Sequence, residues 1–200
     1  METENIFIRR PAHLEHKIHP LLEQRWSPRT FGSKQISESE IARLFEAARW
    51  AASSFNVQPW RFIYAAKKTR AYDKIIDCLS DFNGLWATNA PLLMLTAYKE
   101  KTEEGEENFH ALHDLGLCLG NMSVQAQYLG IAMHHMAGID WKKAQRVFDV
   151  PKGFHITSAL ALGYYGGDIQ SLPEDLQGQE TGKRTRNRIE DFAYNGSWKK

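Results

Sequence analysis

Hydrophobic residues recur at intervals of three and four between residues 112 and 129. This spacing places them along one side of an α-helix of about five turns. The apolar positions are Leu112, Leu115, Leu119, Met122, Ala126 and Leu129. Gly116, Gly120 and Ser123 lie near this stripe and would let another backbone approach closely. The pattern therefore predicts a long helix that is either the spine of the domain or the seam of a dimer.

Shorter periodic segments predict three further helices. Ser37 and Glu40 form a Ser-x-x-Glu capping box that is followed by apolar residues at helical spacing. Residues 69–79 also carry their apolar side chains on one helical face. Residues 141–148 follow Asp140, whose short acidic side chain is suited to a helix N-terminus.

Four apolar runs predict β-strands, at residues 61–65, 91–97, 131–137 and 156–163. The second run starts at a proline, which the first position of a strand allows. Strands separated by helices in a chain of this length predict one α+β domain over residues 1–200, with its core at about 20–192. We expect a mixed sheet flanked by helices.

Two polar segments lack a periodic apolar face. Residues 98–108 are highly charged, which predicts an exposed connection or a mobile lid, and the first is the commoner reading of a charge run. Residues 168–200 are polar with scattered aromatic residues at Phe192, Tyr194 and Trp198. This tail is expected to bury little within its own chain and to wrap a partner subunit.

Charge and cysteine content exclude several classes of protein. The 25 basic and 24 acidic residues nearly cancel, so no global field favours nucleic acid or a membrane surface. The two cysteines do not form a disulfide framework, which favours the reducing cytoplasm. Residues 1–5 are polar and predict no signal peptide, and no apolar run reaches the roughly 20 residues that span a bilayer.

Two basic segments are candidates for an anion site. Arg25, Ser27 and Arg29 alternate along the chain, so an extended backbone would direct all three to one side. Residues 183–188 carry four further cations, and arginine matches the geometry of phosphate oxygens. The two segments would meet at one phosphate, or each is a solvated surface. A nucleic-acid patch is disfavoured because no aromatic residues are interleaved with the cations.

Metal and nucleophile motifs do not account for a reaction. Glu107, His110 and His113 have the Glu-x-x-His spacing of di-iron bundles, but the chain offers no second such motif. His134 and His135 would face opposite sides of a strand and cannot chelate together. We therefore expect no metal, and no catalytic side chain, since Gly-x-Ser-x-Gly and Walker motifs are missing from the sequence. If the protein is an enzyme, a bound cofactor carries the chemistry.

Several segments in order resemble the nitroreductase family of FMN-dependent oxidoreductases. Residues 25–31 (Arg-Trp-Ser-Pro-Arg-Thr-Phe) resemble the family's opening Arg-x-Ser-x-Arg/Lys-x-Phe. Residues 53–62 resemble its Ser-x-x-Asn-x-Gln-Pro-Trp-x-Phe, which is the most specific match. Further along, residues 129–138 resemble the family strand that ends in a flavin-facing glycine, and residues 184–186 resemble its late Lys/Arg-x-Arg.

The resemblance implies a set of FMN contacts. The phosphate end would be held by Arg25, Ser27, Arg29, Arg184 and Arg186, with Trp26 contributing backbone. The ring would contact Asn83 at its pyrimidine edge and the backbone of Ala137 and Gly138 near N5. Residues reaching the flavin from a second subunit would be Ser53, Ser54 and Asn56.

The resemblance also implies an intertwined homodimer with FMN at its interface. Reduced nicotinamide, NADH or NADPH, would deliver hydride to the flavin, which would reduce a nitroaromatic, quinone or similar acceptor by a ping-pong mechanism. Ala137 and Trp86 depart from the glutamate and lysine of some relatives, which bears on substrate preference. The alternatives are another flavin reaction on the same fold, such as reductive dehalogenation or heterocycle oxidation, or a flavin-binding protein without turnover.

Overall fold

The computed structural model describes Arg10 and residues 12–198. Residues 1–5, on which the signal-peptide prediction rests, lie outside this part of the chain. The helices are α1 (Pro20–Gln24), α2 (Glu38–Arg49), α3 (Arg70–Ile76), α4 (Asp81–Ala87), α5 (Ala111–Tyr128), α6 (Trp141–Val147) and α7 (Glu174–Thr181). The strands are β1 (Trp60–Ala66), β2 (Leu92–Lys99), β3 (Ile131–Met136) and β4 (Phe154–Tyr164). Across Arg10 and residues 12–198, no helix combines the length and apolar character needed to cross a bilayer.

The four strands form one sheet in the order β1-β2-β4-β3. All three pairings between these strands are antiparallel, so the predicted α+β class is confirmed while the described sheet is antiparallel rather than mixed. The crossover through α5 does make β2 and β3 run the same way, as a helical crossover requires. Because β4 is inserted between them, no parallel pair forms in this sheet.

Both faces of the sheet are covered. On one face, α2 and α5 pack over Met94, Leu160 and Leu162. On the other, α3 and α6 pack against the sheet, and Trp86 of α4 joins the same core. Burial on both faces accounts for the apolar sequence of β2 and of the second half of β4, which are the two central strands.

Local capping explains the helices that the sequence predicted. Ser37 and Glu40 form the expected reciprocal capping box at the start of α2. At α6, the side chain of Asp140 accepts a hydrogen bond of 2.8 Å from the backbone N–H of Lys143. The prediction for α5 is confirmed in length, but Leu112 is exposed, and the buried stripe begins at Ala111 instead.

The tail prediction was wrong in one respect. Residues 174–181 form α7, and Leu172, Leu176 and Glu180 are buried within their own chain. Their spacing of four residues gives one side of the α7 segment a narrow inward face. The outer aromatic residues Phe192 and Trp198 are exposed, as the polar composition predicted.

The charged segment between β2 and α5 forms an irregular connection. It folds back on itself through an isolated bridge between Lys101 and Glu107, and most of its residues are exposed. Lys99 and Glu103 form an ion pair at its start. The structure therefore matches an exposed connection.

Candidate functional site

The segment 25–31 is extended, and its burial alternates. Trp26, Pro28 and Thr30 are buried, whereas Arg25, Ser27 and Arg29 remain partly accessible. This alternation is the one that a period of two residues predicts. Arg25 also reaches toward Ser27, with Nη1 3.4 Å from Oγ. The sequence prediction that the two arginines and the serine share one side of the chain is consistent with this alternation.

Side chains from distant elements form hydrogen bonds with the main chain of this segment, where a strand of a sheet would bond to its neighbour. The Tyr165 hydroxyl lies within 3.5 Å of the Trp26 backbone N–H and 3.3 Å of its carbonyl. Nδ1 of His134 lies 2.8 Å from the Pro28 carbonyl oxygen. The Arg29 backbone N–H donates to Glu180 Oε1 over 2.6 Å. The main chain of the segment is thus fixed by β3, by the end of β4 and by α7.

Gly167 closes the end of the same segment. It has φ +89°, and a Cβ atom there would lie 2.7 Å from the Phe31 carbonyl oxygen. Both the backbone conformation and the close approach require glycine. The strand exit at residues 163–167 therefore serves to seat the extended segment.

His134 is a neutral base in a crowded environment. Its ring lies 4.3 Å from the ring of buried Trp86, with an interplanar angle of 37°. Burial lowers the pKa of His134 to about 4, and the nearby Arg29 cation acts in the same direction. Because a neutral imidazole bonded to a carbonyl must donate, the proton resides on Nδ1.

Arg29 and Glu180 form the most buried ion pair of this region. Arg29 Nη1 lies 3.7 Å from Glu180 Oε2, and the Glu180 side chain is fully buried. Burial raises the pKa of Glu180, although the Arg29 backbone bond and charge oppose this effect. Nε of Arg29 and Nε1 of Trp86 are buried without a hydrogen-bond partner among the described residues. Much of the charge of Arg29 is therefore compensated within the protein.

The late basic cluster does meet the early one. Arg184 donates to the carbonyl oxygens of Glu23 at 2.6 Å and of Arg25 at 2.9 Å, and to that of Arg10 at 3.1 Å. Burial and the surrounding cations Arg186, Arg25 and Arg10 lower the pKa of Arg184. Three of its five N–H groups serve these carbonyls, so Arg184 is a structural tie as well as a cation.

A cavity of about 570 Å³ opens beside this tie. Its cationic lining consists of Arg25, Lys183, Arg184 and Arg186. Arg186 is exposed, and Nη1 donates to the neighbouring Thr185 carbonyl over 2.7 Å. Several cations therefore lie around one opening although they repel one another. A multivalent anion bound there would offset this repulsion.

Asn83 and Gly138, the residues predicted to contact the flavin ring, lie against each other. Asn83 occupies helix α4, not the turn that its Asn-Gly sequence would allow, because Ser80 caps the helix and Trp86 and Ala87 are buried in the core. Nδ2 of Asn83 donates to the Gly138 carbonyl over 2.9 Å. A Cβ atom at Gly138 would lie 2.6 Å from Ser80 Oγ, so only glycine fits. Ala137, the preceding residue, is exposed.

The segment 53–58 is a strained loop. Phe55, Asn56 and Gln58 all have positive φ, at 48°, 56° and 51°. The Ser54 backbone N–H donates to Asp114 Oδ2 over 3.1 Å, and Ser53 Oγ accepts from the Gln58 backbone N–H at the same distance. Left-handed conformations at non-glycine residues are unfavourable and persist only where surrounding contacts fix them.

The sequence analysis missed four residues that support this site: His134, Tyr165, Glu180 and Asp114. Each is a polar side chain that bonds to main chain at least 60 residues away in sequence. The four-residue spacing of Leu172, Leu176 and Glu180 was an available signal for the third. The others lie in apolar or unremarkable contexts that single-sequence patterns do not distinguish.

Comparison with known proteins agrees with the geometry. The family model described as the nitroreductase family matches residues 22–84 and 79–164. The major NAD(P)H-flavin oxidoreductase of Aliivibrio fischeri is 30% identical, over 76% of this chain and 89% of that protein. The oxygen-insensitive NADPH nitroreductase of Helicobacter pylori is 34% identical, over 45% of this chain and 43% of that protein.

A solved structure extends the match to almost the whole fold. The crystal structure of an oxidoreductase containing FMN has a TM-score of 0.87 and 30% sequence identity with this chain. The superposition covers 94% of this chain and 96% of that one.

Proposed function

The chain belongs to the nitroreductase family, and on that premise we propose that it is an FMN-dependent oxidoreductase with NADH or NADPH as electron donor. The observation that carries this proposal is the convergence of Arg25, Arg184 and Arg186 on one cavity from opposite ends of the chain. Burial and, after it, the neighbouring cations lower the pKa of Arg184, and a bound phosphate would favour its charged form.

The residues present fit the phosphate end of FMN. Arg25 and Arg186 supply accessible guanidinium groups, and Ser27 supplies a hydroxyl on the same side of the chain. Arg184 fixes the position of Arg25 through its carbonyl. Arg29, which does not line the cavity itself, lies four residues after Arg25 and contributes a charge partly compensated by Glu180. Trp26 lies inward of this segment, under the Arg10 guanidinium, and contributes backbone.

The residues present also fit the ring end. Asn83 holds Gly138 in place, and the exposed Ala137 leaves the approach to this backbone open. When bound, FMN would supply the redox chemistry by accepting hydride at N5 from reduced nicotinamide and passing electrons to an acceptor. The side chains bind and orient, and none is assigned as a catalytic nucleophile. We propose a nitroaromatic or quinone as acceptor and a ping-pong mechanism.

A second copy of the chain completes the proposed site. Ser53, Ser54 and Asn56 lie in a loop whose Phe55 is 99% exposed. On α5, the large side chains of Leu112, Leu117 and Tyr128 are exposed, whereas Leu115, Leu119, Met122 and Ala126 of the predicted stripe are buried within the chain. Exposed apolar side chains of this size support the proposed homodimer. Sedimentation velocity of the full chain tests this, and a monomer that retains FMN would contradict it.

The cytoplasm remains the proposed location. Cys78 and Cys118 are buried free thiols, and burial raises the pKa of Cys118 to about 12. Both are consistent with inert core cysteines in a reducing compartment.

The first experiment is spectroscopic. The purified chain is expected to bind FMN stoichiometrically, with a flavin absorbance that bleaches under anaerobic conditions on adding NADH or NADPH and returns on adding a quinone. Initial rates at varied donor and acceptor concentrations should give the parallel double-reciprocal lines of a ping-pong mechanism. A flavin that stays oxidised with both donors would contradict the enzymatic assignment.

The second experiment separates phosphate from ring recognition. The double variant Arg25→Gln with Arg186→Gln should weaken FMN binding by about 100-fold, at roughly tenfold per lost charged hydrogen bond. Riboflavin, which lacks the phosphate, should bind as it does to the wild type. Arg188→Gln is the matched control, because Arg188 is exposed and pairs with Glu190 at 3.0 Å. Unchanged FMN affinity in the double variant would refute the phosphate assignment.

A further inference from the structure

We propose that His134 is a positioning residue for the phosphate-binding segment 25–31, acting through the peptide group between Pro28 and Arg29. This inference rests on the proposed function, because it assigns His134 to the binding of the FMN phosphate. In this role His134 does not bind the phosphate itself; it sets the direction from which the side chains of residues 25–31 reach the phosphate.

The geometry singles out one peptide group. Nδ1 of His134 lies 2.8 Å from the Pro28 carbonyl oxygen, and Glu180 Oε1 lies 2.6 Å from the Arg29 backbone nitrogen. These two atoms belong to the same peptide group, which is planar. Side chains from β3 and α7 therefore bond to the C=O and the N–H of one rigid peptide group.

The orientation of this peptide group determines where the flanking side chains point. Ser27 and Arg29 lie on either side of the buried Pro28 and share the accessible face of the segment. Rotation of the Pro28–Arg29 peptide would turn the Arg29 side chain relative to Ser27. Pro28 limits its own backbone, since its φ is fixed by the ring, so the remaining freedom lies in the peptide that His134 holds.

The chemistry of histidine suits this task. A donor is required, because the Pro28 carbonyl accepts, and a third fixed cation beside Arg25 and Arg29 would add repulsion. The neutral imidazole donates from Nδ1 without adding charge. Its ring is also fixed by the tilted contact with Trp86 at 4.3 Å. The low pKa of His134 agrees with a neutral donor at physiological pH.

The test uses two substitutions that divide the functions of the side chain. His134→Phe keeps an aromatic ring against Trp86 but has no donor. His134→Asn loses the ring but places an amide N–H near the position of Nδ1. Affinities of the full chain, stripped of flavin, are measured for FMN and for riboflavin by quenching of flavin fluorescence.

We expect His134→Phe to weaken FMN binding about tenfold, which corresponds to one hydrogen bond, and to leave riboflavin binding unchanged. His134→Asn should retain FMN affinity within about threefold even if it lowers the melting temperature. The matched control is His155→Phe, because His155 also packs on a tryptophan, Trp141, at 4.7 Å. It lies at the opposite end of β4 from Tyr164, and its substitution should leave both affinities unchanged.

Two results would overturn the inference. One is an unchanged ratio of FMN to riboflavin affinity in His134→Phe, whether both affinities are retained or both fall equally. The other is a selective loss of FMN in His134→Asn as large as in His134→Phe. If His134→Phe does not fold, His134→Met fills the space without a donor and is measured in its place. Failure of the proposed function is a separate outcome, since the wild type would then bind neither flavin.

Discussion

The two segments that carry most of the proposed cofactor contacts are built in opposite ways. Residues 25–31 form an extended segment whose main chain is held by Tyr165, His134 and Glu180. Residues 53–58 form a loop with three left-handed residues, and within Arg10 and residues 12–198 Asp114 is the one distant side chain that bonds to its main chain. The first is anchored in the core, and the second projects Phe55 into solvent.

Under the proposed function, this difference separates contacts that one chain can organise from contacts that need the second subunit. The extended segment has its buried polar partners within the chain, which would hold its cations in place for the proposed phosphate. The loop presents exposed residues and holds them in an unfavourable backbone conformation, as is found where function requires it. The comparison predicts that substitutions at the partners of the first segment greatly lower the free energy of unfolding. Substitutions at the partner of the second segment should affect only the loop itself.

The largest effect is expected for Glu180→Ala. This substitution leaves the half-buried Arg29 cation without its partner and removes the acceptor of the Arg29 backbone N–H. Breaking one side of a buried ion pair costs about 3–5 kcal/mol. Urea unfolding should show a decrease of this size in the free energy of unfolding. Glu174→Ala, at an exposed position of the same helix, should cost less than about 0.5 kcal/mol, and equal losses in the two variants would contradict the anchoring role.

The next effect is a pH dependence from His134. Its pKa is about 4 in the folded chain and has a usual value of 6.5, so the unfolded state takes up the proton first. The free energy of unfolding is therefore retained above pH 6.5 and decreases as the pH falls from 6.5 toward 4. The loss is at most about 3 kcal/mol, from 1.36 kcal/mol per pKa unit.

Urea midpoints between pH 4 and 7 measure this contribution when the wild type is compared with His134→Asn. The variant removes the titrating group, so its stability should fall less steeply with acid. Parallel curves for the two proteins would show that His134 titrates alike in both states.

The smallest effect is expected for Asp114→Ala. It leaves the Ser54 backbone N–H without its acceptor, and water can reach the partly exposed loop, so the cost is about 1 kcal/mol. Hydrogen exchange should accelerate at the amides of residues 54–58 and stay unchanged at residues 26–31. Faster exchange in both segments would remove the distinction between them. Asp175→Ala, exposed on α7, is the control.

Most of the fold could be predicted from the sequence because its signals are local. The capping box of Ser37 and Glu40 and the stripe of α5 depend on residues within one or two turns. Helix α4 was missed because Asn83-Gly84 is a turn signal, which the burial of Trp86 and Ala87 overrides. Burial of this kind depends on tertiary packing, and no local pattern carries it.

The candidate site was predictable where it has a period and not where it depends on distant contacts. The shared orientation of Arg25, Ser27 and Arg29 could be predicted because side chains of an extended chain alternate with a period of two residues. The left-handed loop could not be predicted, since its acceptor Asp114 lies 60 residues from Ser54. Nor does composition indicate that the guanidinium of Arg184 is largely committed to carbonyl oxygens.

The tie made by Arg184 has a consequence for how the protein is made. It joins the backbone of Glu23 and Arg25 to a residue about 160 positions later. During synthesis the early segment therefore emerges long before its tether exists, and the opening beside it acquires its full wall only after Arg186 has left the ribosome. Under the proposed function, the phosphate of FMN can be bound fully only after Arg186 has been synthesised, when almost the entire sheet can already have formed.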